Sequence, residues 1–347
     1  MTTNDLVGIA QAMVADDKGL LAIDESIGSC NRRFAALGIP QTAERRRAWR
    51  ELIVTTPGLR QSISGAILCD ETIRQKPNGG ASFAQLLDVA GLLVGIKVDA
   101  GTIELAGHPG EKITEGLDGL HARLGTYVEM GARFAKWRGV ITIGAERPSR
   151  GCVEANAHAL ARYAAICQQA GLVPIVEPEV LMDGTHGLTR CAEVTEAVLR
   201  AFFRHADEQG VVLEAMILKP NMVLPGLLST IQEDVDTIAD ATVKCLLHTV
   251  PASVPGIAFL SGGQSGELAS ARLNAMNIRF RGHLPWQLSF SFARAIQYPA
   301  LQIWAGHDEH VQAAQAALMH RARCNQAARR GAYDATLDVA PVAASVQ

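Results

Sequence analysis

Three lysines stand in apolar segments of the chain, where their side-chain amines could act as nucleophiles. Seven of the 32 lysines and arginines are lysines, and Lys97, Lys136 and Lys219 interrupt or follow apolar runs. Desolvation or a nearby cation lowers the pKa of a lysine and frees its amine to attack a carbonyl carbon, whereas arginine stays protonated. The pattern therefore indicates Schiff-base chemistry with a carbonyl substrate.

Lys219 has the local sequence that best fits this role. The apolar segment AMIL precedes it, and Pro220, which has no backbone N–H, follows it. Burial and a second lysine nearby would lower its pKa. The alternative is a structural lysine held in an ion pair by Glu177 or Glu179.

Glu177 and Glu179 flank Pro178 in the segment IVEPE. Side chains alternate along a strand, so both carboxylates are expected on one face. Two close carboxylates raise the pKa of one of them, which would make it a general acid near neutrality. The alternative, that each carboxylate pairs with a lysine, is compatible with this role.

The segment SGGQSGE contains Gly262 and Gly263 and is followed by a helical pattern. Glycines allow backbone N–H groups to approach an anion, and Arg294, after the next apolar run, could add a forked contact. These residues predict a phosphate site, with a tight turn and a surface arginine as the alternative.

Asp24 ends the segment LLAID and is followed by Ser26 and Ser29. Asp24 could orient a substrate hydroxyl or act as a base. Alternatively, these residues cap a helix, with Ser29 before a helix that starts at Asn31. Spacing leaves both interpretations open.

Eight apolar runs could supply the strands that position these residues, and helical patterns lie between them. The runs are LLAID (20–24), GAILCD (65–70), LLVGIKVD (92–99), FAKWRGVI (134–141), LVPIVEPE (172–179), LEAMILKPN (213–221), GIAFLSGG (256–263) and LSFSFAR (288–294). The helical patterns cover 117–130, 153–170, 191–209, 233–249 and 266–276.

This alternation predicts an α/β fold, a (β/α)₈ barrel formed by one domain over 1–347, with an extra N-terminal helix and a flexible tail over 334–347. The active site of such a barrel lies at the carboxyl ends of the strands. Other polar residues also stand at or near the ends of these apolar runs, namely Asp70, Glu71, Ser261 and Ser291.

Composition and charge exclude several classes of protein. Hydrophobic residues make up 48% and charged residues 19% of the chain, which argues against general disorder. A formal net charge of −3 gives no signal for nucleic-acid binding, and no apolar run is long enough for a membrane helix. No secretory signal is visible at the N-terminus, so we expect a cytoplasmic protein.

Cysteine and histidine spacing gives no metal motif. The seven cysteines include no CxxC, and the ten histidines include no HxH or HExxH. His307 and His310 stand in a polar helical stretch, where a solvated face is the simpler interpretation. These spacings predict no metal site, and we also expect no cofactor.

Long segments of the chain resemble class I fructose-bisphosphate aldolases. The resemblance runs from about residue 8 to about residue 335 and is carried by ordered motifs. These are LLAIDESIGS, VGIKVDAG, GLDGL, GARFAKWR, ARYAAICQQAGLVPIVEPE, LKPNMVLPG, FLSGGQS and LNAMN. The resemblance implies a cytosolic, metal-independent glycolytic lyase that acts on sugar phosphates. Members of the family have a (β/α)₈ fold and are often homotetramers.

The resemblance also implies roles for individual residues. Lys219 matches the Schiff-base lysine, Glu177 the general acid and base with Glu179 beside it, Asp24 the residue that handles the C4 hydroxyl, and Lys136 the second active-site lysine. The substrate and phosphate contacts fall on Lys97, Ser261, Gly262, Gly263, Ser291, Arg294 and Arg33.

Two segments depart from the pattern of the animal members of the family. Phe292 and Ala293 stand where a Tyr-Gly pair often precedes the arginine. The chain ends in Gln347 instead of a tyrosine, and its last tyrosine is Tyr333. These departures leave the substrate preference and the role of the tail open.

Three other functions are alternatives to that of an aldolase of this family. A transaldolase-like transferase would need an aldose acceptor, a sugar-phosphate binder without activity would not need Lys219 or Glu177, and a metal-dependent aldolase would need histidine ligands.

Overall fold

The computed structural model describes residues 2–77 and 80–338. Its strands are β1 (Gly19–Ala22), β2 (Ile63–Leu68), β3 (Leu93–Lys97), β4 (Thr102–Glu104), β5 (Lys112–Thr114), β6 (Phe134–Ile141), β7 (Val173–Val180), β8 (Ile217–Leu218), β9 (Gly256–Phe259) and β10 (Gln287–Phe292). Eight of them form a closed barrel in the order β1-β10-β9-β8-β7-β6-β3-β2. All the barrel pairings are parallel, and β4 and β5 form a separate antiparallel hairpin. The predicted (β/α)₈ fold is confirmed.

Helices follow or join the strands around the barrel. They are α1 (Thr3–Met13), α2 (Ile27–Ala35), α3 (Ala43–Val54), α4 (Asp70–Arg74), α5 (Phe83–Val89), α6 (Leu120–Glu129), α7 (Arg150–Gln169), α8 (Leu188–Glu208), α9 (Val235–Thr249), α10 (Gly266–Arg279), α11 (Arg294–Trp304) and α12 (Val311–Arg330). Short 3₁₀ helices occur at Leu59–Gln61, Leu213–Ala215, Asp308–His310 and Ala335–Asp338.

The barrel strands are buried on both faces. Every residue of β2 and of β7 is buried, because the helices cover the outer face while side chains fill the interior. Such strands read as continuous apolar runs without alternation, which explains why these runs were visible in the sequence.

Helix α1 closes the amino-terminal end of the barrel. Leu6, Ala10 and Met13 lie on one face at helical spacing and are buried. They form a second core with interior residues at the beginnings of strands, including Val173 and Ile217. The extra N-terminal helix is confirmed.

Several predicted boundaries were wrong. The run 213–221 contains only two strand residues, Ile217–Leu218, because Leu213–Ala215 turns as a 3₁₀ helix and Pro220 ends the ladder. The Lys219 N–H still donates to the Val176 carbonyl at 2.8 Å. This bond holds Lys219 at the end of β8.

The predicted helix start at Asn31 was also wrong. Helix α2 begins at Ile27, and its N-cap is Ser26, whose hydroxyl accepts the Ser29 N–H at 3.3 Å. A serine three residues earlier therefore satisfies the free N–H groups. Asp24 lies before the cap and is free for another role.

The beginning of the predicted tail lies within the described residues. Ala335–Asp338 forms a 3₁₀ turn, and Asp338 contacts Arg321 of α12 and the Tyr333 hydroxyl. The rest of the predicted tail lies outside the described residues.

Candidate active site

A cavity of about 740 Å³ opens at the carboxyl ends of the barrel strands. Every residue proposed for the site from the sequence lines it. They are Asp24, Arg33, Lys97, Lys136, Glu177, Glu179, Lys219, Ser261, Gly262, Gly263, Ser291 and Arg294. The barrel topology has thus brought together residues from positions 24 to 294 of the chain.

Four charged side chains form a continuous chain of ion pairs in the cavity. The Lys219 Nζ lies 3.1 Å from Glu177 Oε1. The Lys136 Nζ lies 2.9 Å from Glu177 Oε2 and 2.7 Å from Asp24 Oδ2. All four residues are buried. The proposed nucleophile is therefore in direct contact with the proposed proton carrier.

Both carboxylates of this cluster are held ionised. Burial opposes ionisation of Asp24, but Lys136, Lys219 and Lys97 outweigh it and keep the pKa of Asp24 below its ordinary value of 3.8. Burial likewise opposes ionisation of Glu177, and Lys136, Lys219 and Arg138 lower its pKa. Both groups are therefore ionised, and each holds its charge against the burial that opposes it.

The same contacts keep Lys136 protonated. Burial disfavours its charge, but Asp24, Glu177 and Asp99 raise its pKa well above the ordinary value. Lys136 is thus a cation held between two anions. A nucleophilic amine must be uncharged, so this arrangement does not suit Lys136 as the nucleophile.

Glu177 and Glu179 share a face of β7, as alternation predicts, but they have different partners. Glu179 pairs with Arg138 of β6, while Glu177 pairs with the two lysines. The prediction that a second carboxylate raises the pKa was wrong for Glu177, because the nearby cations dominate.

Lys97 lies at the edge of the cluster. Its Nζ is 2.6 Å from Asp99 Oδ1 and donates to the Asp99 carbonyl at 3.2 Å. It remains in the cavity wall at the end of β3, where its charge acts on Asp24.

The loop after β9 contains the predicted phosphate site. Gly262 and Gly263 have φ angles of 54° and 92°, which favour glycine. A Cβ on Gly263 would lie 3.0 Å from an Arg294 nitrogen. Ser291 Oγ is buried and has no hydrogen-bond partner among the described residues. The geometry leaves room and donors for an anion beside Arg294.

Arg33 is held at the cavity wall by Glu25. Its Nη1 lies 2.5 Å from Glu25 Oε1, and Glu25 also binds Arg50 at 2.7 Å and the Gln297 amide at 2.7 Å. Burial opposes ionisation of Glu25, but Arg50 and Arg33 lower its pKa.

Sequence reasoning missed Arg138 and Glu25. Arg138 stands two residues after Lys136 on β6, so strand alternation would have placed it on the same face. Glu25 gave no comparable signal, because its partners Arg33, Arg50 and Gln297 come from separate helices. Asp70 and Glu71, which also follow a strand, lie outside this cavity and line a neighbouring groove.

Tyr333 does not line the cavity. Its side chain is buried and contacts Asp338, and its hydroxyl donates to the Glu267 carbonyl at 3.4 Å. The last tyrosine of this chain therefore packs between α10 and α12.

One set of potential metal ligands occurs within the described ranges, away from the cavity. It consists of His320, Cys324 and Asp338. Asp338 is already bound by Arg321 and Tyr333, and a guanidinium beside the carboxylate disfavours a metal ion. His307 and His310 lie outside this set, with His307 58% exposed.

None of the described helices is both long enough and apolar enough to cross a lipid bilayer.

Comparison with known proteins places the chain among sugar-phosphate enzymes. The family model for fructose-bisphosphate aldolase class-I matches residues 5–346. The chain is 56% identical to a probable fructose-bisphosphate aldolase class 1 of Xanthomonas axonopodis pv. citri (strain 306), over 88% of this chain and 91% of the relative. It is 50% identical to the cytosolic fructose-bisphosphate aldolase 6 of Arabidopsis thaliana, over 95% of this chain and 92% of that relative.

A solved structure agrees with these matches. It is fructose-bisphosphate aldolase from Plasmodium falciparum in complex with TRAP and a small molecule inhibitor. It superposes with a TM-score of 0.93 at 44% identity and covers 95% of both chains.

Proposed function

The chain belongs to the class I fructose-bisphosphate aldolase family, and we propose that it performs the reaction of that family with the residues of this cavity. Fructose 1,6-bisphosphate is cleaved reversibly to dihydroxyacetone phosphate and glyceraldehyde 3-phosphate through an imine on Lys219. The observation that carries this assignment is the buried chain of contacts from Lys219 through Glu177 and Lys136 to Asp24.

Imine formation begins at the pair of Lys219 and Glu177. Glu177 is ionised and 3.1 Å from the amine, so it accepts the proton that Lys219 must lose. The neutral amine attacks the C2 carbonyl carbon and forms a carbinolamine. Glu177 then returns a proton to the C2 hydroxyl, which leaves as water, and the nitrogen remains as a protonated imine.

Carbon–carbon cleavage uses Asp24. The protonated imine accepts electrons, so the C3–C4 bond breaks when the ionised Asp24 takes the proton of the C4 hydroxyl. Glyceraldehyde 3-phosphate leaves and an enamine remains on Lys219. The enamine takes up a proton at C3 and Asp24 gives up the one it accepted, so the proton count is restored. Water then hydrolyses the imine, which releases dihydroxyacetone phosphate and frees the amine.

Cationic residues flank the cluster on two sides and hold the two phosphates. One side has the loop of Gly262 and Gly263 with Arg294, and Ser261 and Ser291 add hydroxyls. Lys97 and Arg33 lie in the wall near Asp24. Arginine and backbone N–H groups suit phosphate because they give several charge-assisted bonds.

Trapping of the imine tests the proposal directly. The protein is incubated with dihydroxyacetone phosphate, reduced with borohydride, digested and mapped by mass spectrometry. We expect a borohydride-dependent adduct on Lys219. An adduct on Lys136 would keep the reaction class and overturn the roles, and no adduct on the folded protein would refute the imine and favour a sugar-phosphate binder.

Turnover of fructose 1,6-bisphosphate separates the proposal from the other enzymatic candidates. An aldolase releases both products without an added acceptor, whereas a transferase of the transaldolase type requires an aldose. We propose a reaction without metal or other cofactor; activity that persists in EDTA supports the absence of a metal, and loss of activity contradicts it.

We also propose the cellular setting that the family resemblance implies. The protein acts in glycolysis and gluconeogenesis in the cytoplasm, as a homotetramer. The names of the plant relatives include the word cytosolic. Sedimentation equilibrium on the purified protein tests the tetramer, and a mass of one or two chains refutes it.

A further inference from the structure

Arg272 is a buried arginine beside the phosphate loop that the mechanism does not use. It lies on α10, two turns from the start of the helix, and is 6% exposed. Helical side chains point toward the N-terminus, and its Nη1 donates to Gln264 Oε1 at 2.8 Å. Gln264 follows Gly263 directly, so the arginine reaches the end of the loop.

Arg272 carries a charge without a matching ion pair. Within residues 2–77 and 80–338 no carboxylate oxygen lies within 4.0 Å of its guanidinium, and its Nε has no hydrogen-bond partner. Burial lowers its pKa, and the charge of Glu233, whose buried Oε2 makes no hydrogen bond to the described residues, opposes that shift without forming an ion pair. An arginine nonetheless stays protonated. A buried unpaired cation is costly, and a dianion bound at the neighbouring loop would offset that cost.

Gln264 connects Arg272 to the loop and to the segment that follows Lys219. Its backbone N–H donates to the Ser261 carbonyl at 3.0 Å and closes the loop turn. Its side-chain amide lies 3.6 Å from the sulfur of Met222, three residues after Lys219. Gln264 itself is 6% exposed. The amide therefore joins the loop after β9 to the segment after β8.

We propose that Arg272 is a positioning residue for the phosphate site. It fixes Gln264, and thereby the loop of Gly262 and Gly263, and its unpaired charge favours a phosphate dianion there. The inference rests on the proposed function only in assigning the loop to a phosphate of the substrate. Binding of inorganic phosphate tests it without catalysis.

The first experiment compares Arg272→Met with Arg272→Lys. We expect Arg272→Met to weaken inorganic phosphate binding, measured by calorimetry, and to raise KM for fructose 1,6-bisphosphate by about tenfold, with kcat changed less than about twofold. Arg272→Lys, which keeps the charge, restores most of the affinity. Unchanged phosphate affinity in Arg272→Met, or no rescue by lysine, overturns the proposal.

A phosphate-free ketone separates positioning from general damage. Trapping of dihydroxyacetone on Lys219 by borohydride needs the amine and no phosphate, so Arg272→Met should form this adduct like the wild type. An equal loss with dihydroxyacetone shows a merely structural role. If the wild type forms no adduct with dihydroxyacetone phosphate while phosphate binding still depends on Arg272, the proposed function fails and this inference stands.

Two further variants keep the test decisive if Arg272→Met does not fold. Gln264→Met removes the acceptor at similar volume and should raise KM, and adding Arg272→Met to it should raise KM by less than Arg272→Met does in the wild type. An unchanged KM in Gln264→Met refutes the proposal. Arg329→Met is the matched control, because Arg329 is also buried and unpaired in the described part of the chain, but it binds the carbonyls of Val14 and Leu288 at the opposite end of the barrel.

Discussion

Lys136 lies between the two carboxylates of the site and favours the ionised form of both. It lies 2.7 Å from Asp24 and 2.9 Å from Glu177, and its charge lowers the pKa of both. The enzyme therefore starts its cycle with two bases and a fixed cation. In the proposed mechanism, Glu177 acts as an acid only after it has taken the proton of Lys219.

Glu177→Gln tests the role of this residue as proton carrier. The variant keeps the shape of the side chain but cannot exchange a proton, so we expect kcat to fall by about 10²- to 10⁴-fold. Steady-state kinetics with fructose 1,6-bisphosphate measure the loss.

The matched control for this variant is Glu179→Gln. It makes the same chemical change on the same strand, but Glu179 contacts Arg138 and no lysine. We expect a smaller fall in kcat. Equal losses in the two variants would contradict the separate roles.

The buried carboxylates also make stability depend on pH. The folded-state pKa of Asp24 lies below its ordinary value of 3.8. The contribution of its ion pair is therefore complete above that value and is lost as the pH falls through the folded-state pKa. We expect the free energy of unfolding, measured in urea, to fall as the pH drops below about 4, and to fall less steeply in Asp24→Asn.

Asp207→Asn is the control for the pH experiment, because the carboxyl of Asp207 is exposed. Its pH dependence should match that of the wild type. If Asp24→Asn also matches the wild type, the ion pair with Lys136 does not contribute to stability in acid.

At the scale of the element, the loop between β9 and α10 depends on backbone conformation. Gly263 has a φ of 92°, and a Cβ there would lie 3.0 Å from an Arg294 nitrogen. Gly263→Ala should strain the loop and displace Arg294. We expect KM for fructose 1,6-bisphosphate to rise by about tenfold, corresponding to one weakened charge-assisted contact.

Gly282→Ala separates this local effect from the general cost of the substitution. Gly282 has a φ of 74°, and no atom lies within 4 Å of an added Cβ. Its variant should lose stability to a similar extent and keep its KM. A raised KM in both variants would show that the effect does not come from the loop.

At the scale of the whole molecule, the two ends of the barrel have different tasks. The carboxyl ends of the strands carry the charged cavity, while the amino ends are sealed by α1. Met13 is fully buried in this second core. Met13→Ala should lower the free energy of unfolding by about 2–5 kcal/mol while the folded protein keeps its kcat.

Chemical denaturation of Met13→Ala and of Gln11→Ala, an exposed position of the same helix, checks this expectation. The control should change the unfolding free energy by less than about 0.5 kcal/mol. A similar small change in Met13→Ala would mean that α1 does not stabilise the barrel.

The amino-acid sequence by itself determined the fold class and predicted residues that all line one cavity. Strands buried on both faces appear as continuous apolar runs, and a charged residue at the end of such a run is visible because burial of a charge needs a reason. The scarcity of lysine made Lys97, Lys136 and Lys219 stand out in the same way. Turn-dependent details, such as the start of α2 at Ile27, were not determined, because several serines could cap the helix.

Only the tertiary structure decided how the charges pair. Asp24 follows β1, whereas Lys136 and Glu177 lie on β6 and β7, and their order of contact depends on the closure and register of the barrel. The sequence suggested a raised pKa from the neighbouring Glu179, whereas the lysines and Arg138 lower the pKa of Glu177. Arg272 beside Gln264 was equally invisible, because electrostatic energy depends on distances in space and on every charge nearby, which local patterns do not specify.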